Sequence, residues 1–345
     1  MKIAVLCGGL SPERDVSRVS GSLIANALIN KGHDVALADL YLGTDENVPV
    51  SDMFGRTPFP ACRVEEKEPD LGAVKASAGG REAYIGPGII ELCKAADAVF
   101  LALHGSIGEN GMLQATLDSF GIKHYTGTGY IGALLSMDKD IAKKMMSGAG
   151  VPVPEGIYCN AGSADTAERI LNEVGLPCVI KPASCGSSVG VSRVFTKEEL
   201  DAALASAAKY ETSVLAEKLI EGRELTCAVL GGQALPPVEI IPKSGWYDYA
   251  NKYQSGATTE ICPAPLTDEE TAEIQRLALA AFGSLRMEMY GRADFILTPS
   301  GKFVCLEVNA LPGMTPTSLL PQEAAAVGIE YGDLCEMLAE MALKK

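Results

Sequence analysis

Two runs near the carboxyl end hold the residue types best suited to chemistry, Gly291-Arg292-Ala293-Asp294-Phe295-Ile296-Leu297 and Lys302-Phe303-Val304-Cys305-Leu306-Glu307-Val308-Asn309. Both alternate with period two around Thr298-Pro299-Ser300-Gly301, which reads as a hairpin turn. If Thr298 pairs with Phe303, Asp294 faces Glu307 and Arg292 faces Asn309 on one side of the ribbon. Facing carboxylates repel unless a cation lies between them. Oxygen donors from Asp294, Glu307 and Asn309 suit a hard cation that shares its other positions with phosphates, so Mg²⁺ is expected rather than zinc. A solvated charged face is the alternative on these residues alone.

Upstream, Lys181-Pro182-Ala183-Ser184-Cys185-Gly186-Ser187-Ser188-Val189-Gly190 puts a lysine at a strand end before a loop of small residues. Such a loop can turn several backbone N–H groups toward phosphate oxygens, because no bulky side chain obstructs them. A tight hairpin with an exposed lysine fits equally well. Between the two, Leu215 to Glu224 ends a strand where an adenine could lie on Ile220 while Glu224 accepts from ribose hydroxyls. Alone, that stretch reads as an ordinary strand end.

The elements that must position these residues begin with a βαβ unit: Ile3 to Cys7, a Gly8-Gly9 turn, a helix from about Ser11 to Asn30, and Asp34 to Leu40. Ser11 is the expected N-cap with Pro12 at the first helical position. Residues 43 to 88 read as loops or short irregular pieces rather than a separate domain. Ala98 to Leu103 forms a buried strand that delivers His104 at its carboxyl end, where open α/β sheets place their ligands. A long helix is expected from Tyr130 to Ser147, then strands at Cys178 to Lys181, Val189 to Phe195 and Val214 to Lys218. Capping boxes at Thr196 to Glu199 and Thr267 to Glu270 open two further helices, the second running from about Asp268 to Leu285.

Hydrophobic residues make up 47% of the 345 residues and charged residues 21%, a globular balance with room for two or three domains. The opening apolar run is too short for a signal peptide, and no later stretch matches a membrane span, so a cytoplasmic protein is expected. Ten cysteines without a C-x-x-C pair read as buried thiols. A formal charge of −15 argues against a nucleic-acid or acidic-membrane partner. An anionic ligand therefore needs a local basic pocket.

In this order the segments resemble the ATP-grasp superfamily and, within it, the D-alanine–D-alanine ligases, over nearly the whole chain. The matching pieces include Gly8-Gly9-Leu10-Ser11-Pro12-Glu13, His104-Gly105 through Glu109-Asn110-Gly111, and Met137-Asp138-Lys139. They continue with Lys181 to Gly190, Glu217-Lys218, Tyr247 to Tyr253, Gly291 to Asp294, and Glu307 to Thr315.

The resemblance implies an α/β chain, α+β in its nucleotide-binding portions, with an ATP-grasp fold and an N-terminal open parallel-sheet domain. It divides as 1–127, 128–217 and 218–345. The implied activity is ATP-dependent joining of two D-alanines through a D-alanyl phosphate for peptidoglycan precursor synthesis. ATP and Mg²⁺ are the implied cofactors, two ions, with Mn²⁺ as a substitute, and a homodimer through the first domain is the implied assembly.

Residue by residue, Glu13 matches the acid that holds the first D-alanine's ammonium, linked with Ser187 and Tyr253 in a hydrogen-bonded closure. Lys139, Lys181, Glu217, Lys218, Ile220 and Glu224 match the ATP cleft. Asp294, Glu307 and Asn309 match the metal ligands, and Arg292 with the Gly313 amide faces the developing oxyanion. Lys252, Ser318 and Leu319 match positions near the transferred phosphate and the second D-alanine, and His104 is a substrate-side candidate. Taken singly, Glu13 could be a first-turn acid favoured by the helix dipole, His104 a satisfied strand-end histidine and Tyr253 a packed aromatic. Uncharged Leu319 after Ser318 favours D-alanine over D-serine or D-lactate as second substrate. A nucleotide-binding regulator without turnover is the reading from another class.

Overall fold

The computed structural model describes residues 1–64, 69–186, 189–243 and 258–345. Ser187, Lys252 and Tyr253 lie outside these residues. Among the described residues the strands form three sheets. The first is parallel, with β1 (Lys2–Cys7) between β2 (Asp34–Asp39) and β3 (Ala98–Leu101). The second is antiparallel: β4 (Gly156–Asn160), β5 (Cys178–Pro182), β6 (Ser192–Val194) and β7 (Ser213–Lys218), in the order β4-β7-β5-β6. The third holds β8 (Arg223–Leu230), β9 (Gln233–Ala234), β10 (Val238–Pro242), β11 (Thr258–Ile261), β12 (Tyr290–Leu297) and β13 (Phe303–Asn309), ordered β11-β10-β8-β12-β13 with β9 beside β8.

β1 buries five successive residues because helices cover both faces of a parallel sheet, so its run is continuously apolar rather than alternating. The first sheet's core also receives Leu334 and Leu338 from the helix Tyr331–Ala342 near the chain's end. Each such buried leucine contributes about 1.5–3 kcal/mol. The chain therefore returns to its first sheet after completing the third. No helix of the described residues is long and apolar enough to cross a membrane.

Three expectations need correction. The first helix starts at Arg14, not Ser11. Ser11-Pro12-Glu13 instead forms a turn in which the Ser11 hydroxyl accepts from the Glu13 N–H at 3.1 Å. Arg14 is buried and donates to the Gly9 carbonyl at 2.6 Å while pairing with Asp39, which pins the turn. Gly8 must be glycine there: its φ is +71° and a Cβ would lie 2.1 Å from an Asp39 oxygen.

The expected long helix is two helices, Tyr130–Met137 and Lys139–Gly148, broken at Asp138 with ψ 101°. The Asp138 carboxylate accepts from the N–H groups of Asp140 and Ile141, so the second helix is capped from inside the sequence. The break turns the Lys139 N–H to the Ala183 carbonyl at 3.0 Å, tying this helix to the loop after β5.

The third correction concerns the hairpin's tip. Leu297, not Thr298, pairs with Phe303, yet Asp294 pairs with Glu307 and Arg292 with Asn309 as expected. A bulge after Asp294 places Leu306 as an extra residue and restores the register. The second half of the hairpin thus reaches the expected facing pairs by a different route.

Candidate functional site

Two clefts meet along one face of the β12–β13 hairpin. The larger, about 650 Å³, is lined by Lys139, Lys181, Glu217, Lys218, Ile220, Glu224, Asp294 and Glu307. The smaller, about 300 Å³, is lined by Glu13, His104, Glu109, Arg292, Asn309, Gly313, Ser318 and Leu319. Every expected site residue that is described borders one of the two. The hairpin places Asp294 and Glu307 on the larger cleft and Arg292 and Asn309 on the smaller. A group bound across the seam touches both.

In the larger cleft, the Glu217 carboxylate is 2% exposed and lies 2.6 Å from both Lys143 and Lys181. Burial opposes its charge, but Lys181 and Lys143 outweigh it and hold its pKa below the usual carboxylate range. Lys143 itself is pushed down to about 8, by burial first and then by the like charge of Lys181. Glu217 is therefore committed to two lysines. Sequence reading missed Lys143; the signal was its position four residues after Lys139, on the same helical face. Lys139 donates to the Cys185 carbonyl at 2.6 Å and lies 3.5 Å from Glu307. Lys218 pairs with Glu155 at the rim.

Asp294 accepts from Arg292 at 2.8 and 2.9 Å, from Thr226 at 2.7 Å and from the Asn309 amide at 2.9 Å. With Arg292 on Asp294 and Lys139 near Glu307, the facing carboxylates are balanced within the chain, so their pairing does not by itself demand a metal. Among the described residues no three His, Cys, Asp or Glu side chains cluster with metal-ligand spacing. Two carboxylates and an amide oxygen nonetheless make a hard donor set, and they sit beside cationic lysines, so the residues fit Mg²⁺ with phosphates as co-ligands.

In the smaller cleft, Glu13 is 8% exposed at the start of the helix Arg14–Asn30. A Cβ on Gly105, whose φ is +64°, would lie 2.7 Å from its carboxylate, so only glycine lets β3's end approach it. Gly186, just before Ser187, also borders Glu13, at 3.4 Å from its ideal Cβ position. His104 lies 3.2 Å from the Leu311 carbonyl through Nδ1 and 3.4 Å from the Ser20 hydroxyl through Nε2. Burial lowers its pKa, which favours the neutral ring. It both borders the cleft and braces the loop after β13.

Glu109 was not singled out in the sequence, though its segment was. It is half-buried, and its carboxylate accepts from the N–H groups of Gly105 at 2.5 Å and Leu311 at 3.2 Å. Burial, then the charge of Glu13, pushes its pKa up to about 7. Ser318 precedes the helix Leu319–Ala326, and its hydroxyl accepts from the Thr315 N–H at 3.0 Å. Leu319 is buried against Val238 and Ile240.

Comparison with known proteins finds likeness along nearly the whole chain. Residues 2–128 match the family described as D-ala D-ala ligase N-terminus, and residues 145–340 match D-ala D-ala ligase C-terminus. The D-alanine–D-alanine ligase of Pediococcus pentosaceus is 40% identical, covering 98% of this chain and 96% of that protein. That of Desulfotalea psychrophila is 45% identical over 72% of this chain and 79% of that protein. A crystal structure of the Bacillus anthracis ligase superposes with a TM-score of 0.76 at 30% identity, covering 100% of this chain and 98% of that one. A D-Ala:D-Ser ligase from Enterococcus faecalis, VanG, gives 0.76 at 29% identity, covering 99% of each. The three sheets, with the parallel one leading, are thus the expected ATP-grasp arrangement. With both halves matched and the relatives aligned over nearly their whole length, the chain belongs to the D-alanine–D-alanine ligase family.

Proposed function

We propose that this chain joins two D-alanines, consuming ATP, to make D-alanyl-D-alanine for peptidoglycan precursor synthesis. The observation that carries it is the shared hairpin face, which gives one bound acyl phosphate access to the lysine-lined cleft and to the Glu13 cleft at once. A B. anthracis ligase of this fold is solved in complex with ATP, at 28% identity and a TM-score of 0.75. By that likeness the larger cleft takes ATP.

In this reading Glu13 binds the ammonium of the first D-alanine, and Lys139 and Lys181 attract the phosphates. The D-alanine carboxylate attacks the γ-phosphorus and ADP leaves. A carboxylate is a poor electrophile and must be phosphorylated before the amine can attack it; positioning and charge neutralisation supply most of that phosphoryl transfer. Asp294, Glu307 and Asn309 would hold Mg²⁺, which when bound neutralises phosphate charge. Arg292 and the Gly313 N–H face the oxygen that gains charge when the second amine attacks the acyl carbon. The C–N bond forms, the amine loses a proton, and phosphate leaves with the former carboxylate oxygen. Ser318 and Leu319 line the acceptor end, where buried apolar Leu319 favours a methyl side chain. Tyr253, Ser187 and Lys252 are assigned to closure of the site and to the transferred phosphate on the family pattern alone.

The test is an ADP-release assay with D-alanine, D-serine, D-lactate and L-alanine, with products identified by mass. D-alanyl-D-alanine, requiring Mg²⁺, is expected. Equal turnover with L-alanine, or nucleotide binding without turnover on D-alanine, refutes the reading.

A further inference from the structure

Glu323 is a carboxyl group in an apolar setting that no step above uses. It lies in the helix Leu319–Ala326 and is 0% exposed. One oxygen accepts from the Ala228 N–H of β8 at 2.6 Å, and the other has no hydrogen-bond partner among the described residues. Burial raises its pKa well above the usual carboxylate range.

The need for it comes from a gap in the third sheet. β10 pairs with β8 through Val238 opposite Thr226, and that register would put Pro236 opposite Ala228. Instead β9 pairs with β8 one residue out of that register, the chain passes Pro236-Pro237 before β10 begins, and Leu235 donates to the Ala228 carbonyl at 2.8 Å. The Ala228 N–H is left for a side chain. A buried N–H without a partner is costly, so the carboxyl completes the strand.

What that contact positions is the acceptor end of the smaller cleft. The same helix begins at Ser318 and Leu319, both lining that cleft. Its next residue but two, Gln322, donates to the Thr317 carbonyl at 2.7 Å and to Glu260 of β11, which also lines the cleft. The helix is thus fixed at two points, on β8 and on β11. Ala228 pairs with Arg292 on β12, and Thr226, two residues earlier, donates to Asp294. One strand therefore carries the helix on one edge and the charged hairpin on the other.

We propose that Glu323 is a positioning residue that sets Ser318 and Leu319, through its bond to Ala228, at the distance from Arg292 needed to seat the second amino acid. This rests on the ligase reading above.

The test compares Glu323→Gln and Glu323→Leu in the full-length enzyme. Glutamine keeps an oxygen for the Ala228 N–H, and leucine keeps volume but not the acceptor. The leucine variant is expected to raise KM for the acceptor D-alanine roughly tenfold with KM for ATP unchanged, the loss of one buried hydrogen bond. The glutamine variant is expected to restore it. Amide hydrogen exchange, read on peptides covering 225–230 and 315–320, should speed in the leucine variant and recover in the glutamine variant. Unchanged exchange in 315–320, or a KM for ATP that rises as much as that for the acceptor, overturns the proposal. If the wild type fails to turn over D-alanine, the ligase reading falls, while the exchange experiment still decides whether Glu323 positions this segment. Should the leucine variant not fold, Glu323→Met, which also lacks the acceptor, takes its place: faster exchange than wild type in 225–230 and 315–320 supports the contact, and unchanged exchange in 315–320 overturns it.

Discussion

Glu217→Gln tests whether Glu217 works by holding lysines or by touching nucleotide. The change removes one negative charge from a spot 2.6 Å from Lys143 and Lys181, whose side chains are 8% and 10% exposed. Removing one partner of a buried ion pair costs about 3–5 kcal/mol, because the remaining charge stays desolvated. Glutamine still offers one oxygen, and Lys181 borders the open cleft, so the lower end applies, about 3 kcal/mol or roughly 100-fold in the unfolding equilibrium. Urea unfolding of the free protein should show this loss. With saturating ATP the loss should shrink, since the phosphates supply Lys181 with the anion the variant lacks. An unchanged urea midpoint without ATP would refute the buried-triad argument. A large fall in ATP affinity at unchanged stability would make Glu217 a nucleotide contact instead.

Glu307→Gln should lower turnover about 100-fold or more by removing charge where the phosphates react. Its stability without metal should change by less than about 1 kcal/mol, because Lys139 at 3.5 Å already offsets Glu307 against Asp294; a clear rise in thermal stability would mean the carboxylates repel unscreened. Lys143→Met probes the depressed lysine. Its folded pKa of about 8 lies below the unfolded 10.5, so the burial cost is fully present below 8 and fades as pH rises toward 10.5. Wild-type stability should therefore rise across that window by up to about 3 kcal/mol relative to the methionine variant, checked by denaturant titration at several pH values. Tyr253→Phe should leave ATP affinity intact but cut dipeptide formation roughly ten- to hundredfold, more than depsipeptide formation with D-lactate, measured as the product ratio.

Much of the site was legible because its residues sit at strand ends and turns, where local sequence has a local cause. Lys181 closes an apolar strand, His104 follows β3, and the period-two runs place Asp294 opposite Glu307. The misses share a different origin. Whether the first helix starts at Ser11 or Arg14 depends on Arg14 reaching Asp39, 25 residues on. The break at Asp138 depends on a loop 45 residues later accepting the Lys139 N–H. Propensity within either window favours a longer helix, and only a distant partner stops it. Lys143, Glu109 and Glu323 escaped for the same reason. Each is an ordinary helical charge until the fold packs around it.

The hairpin shows how a faulty step can still reach the right pair. A tip that pairs Thr298 with Phe303 would carry the facing carboxylates by period two alone, and a one-residue slip would send one of them to the other face. The observed tip is one residue out of that register, and Leu306 absorbs the difference before Glu307. The turn is satisfied locally, since Thr298 donates to and accepts from Lys302, whereas the far half is held by Arg292, Thr226 and Asn309 on Asp294. Tip and site are thus fixed by separate bonds, and the bulge is where the two meet. Leu306 lines the larger cleft beside Glu307. A residue inserted at the tip should therefore be absorbed without moving the carboxylates, and deleting Leu306 should remove the bulge while leaving Glu307 opposite Asp294 in an unbroken ladder.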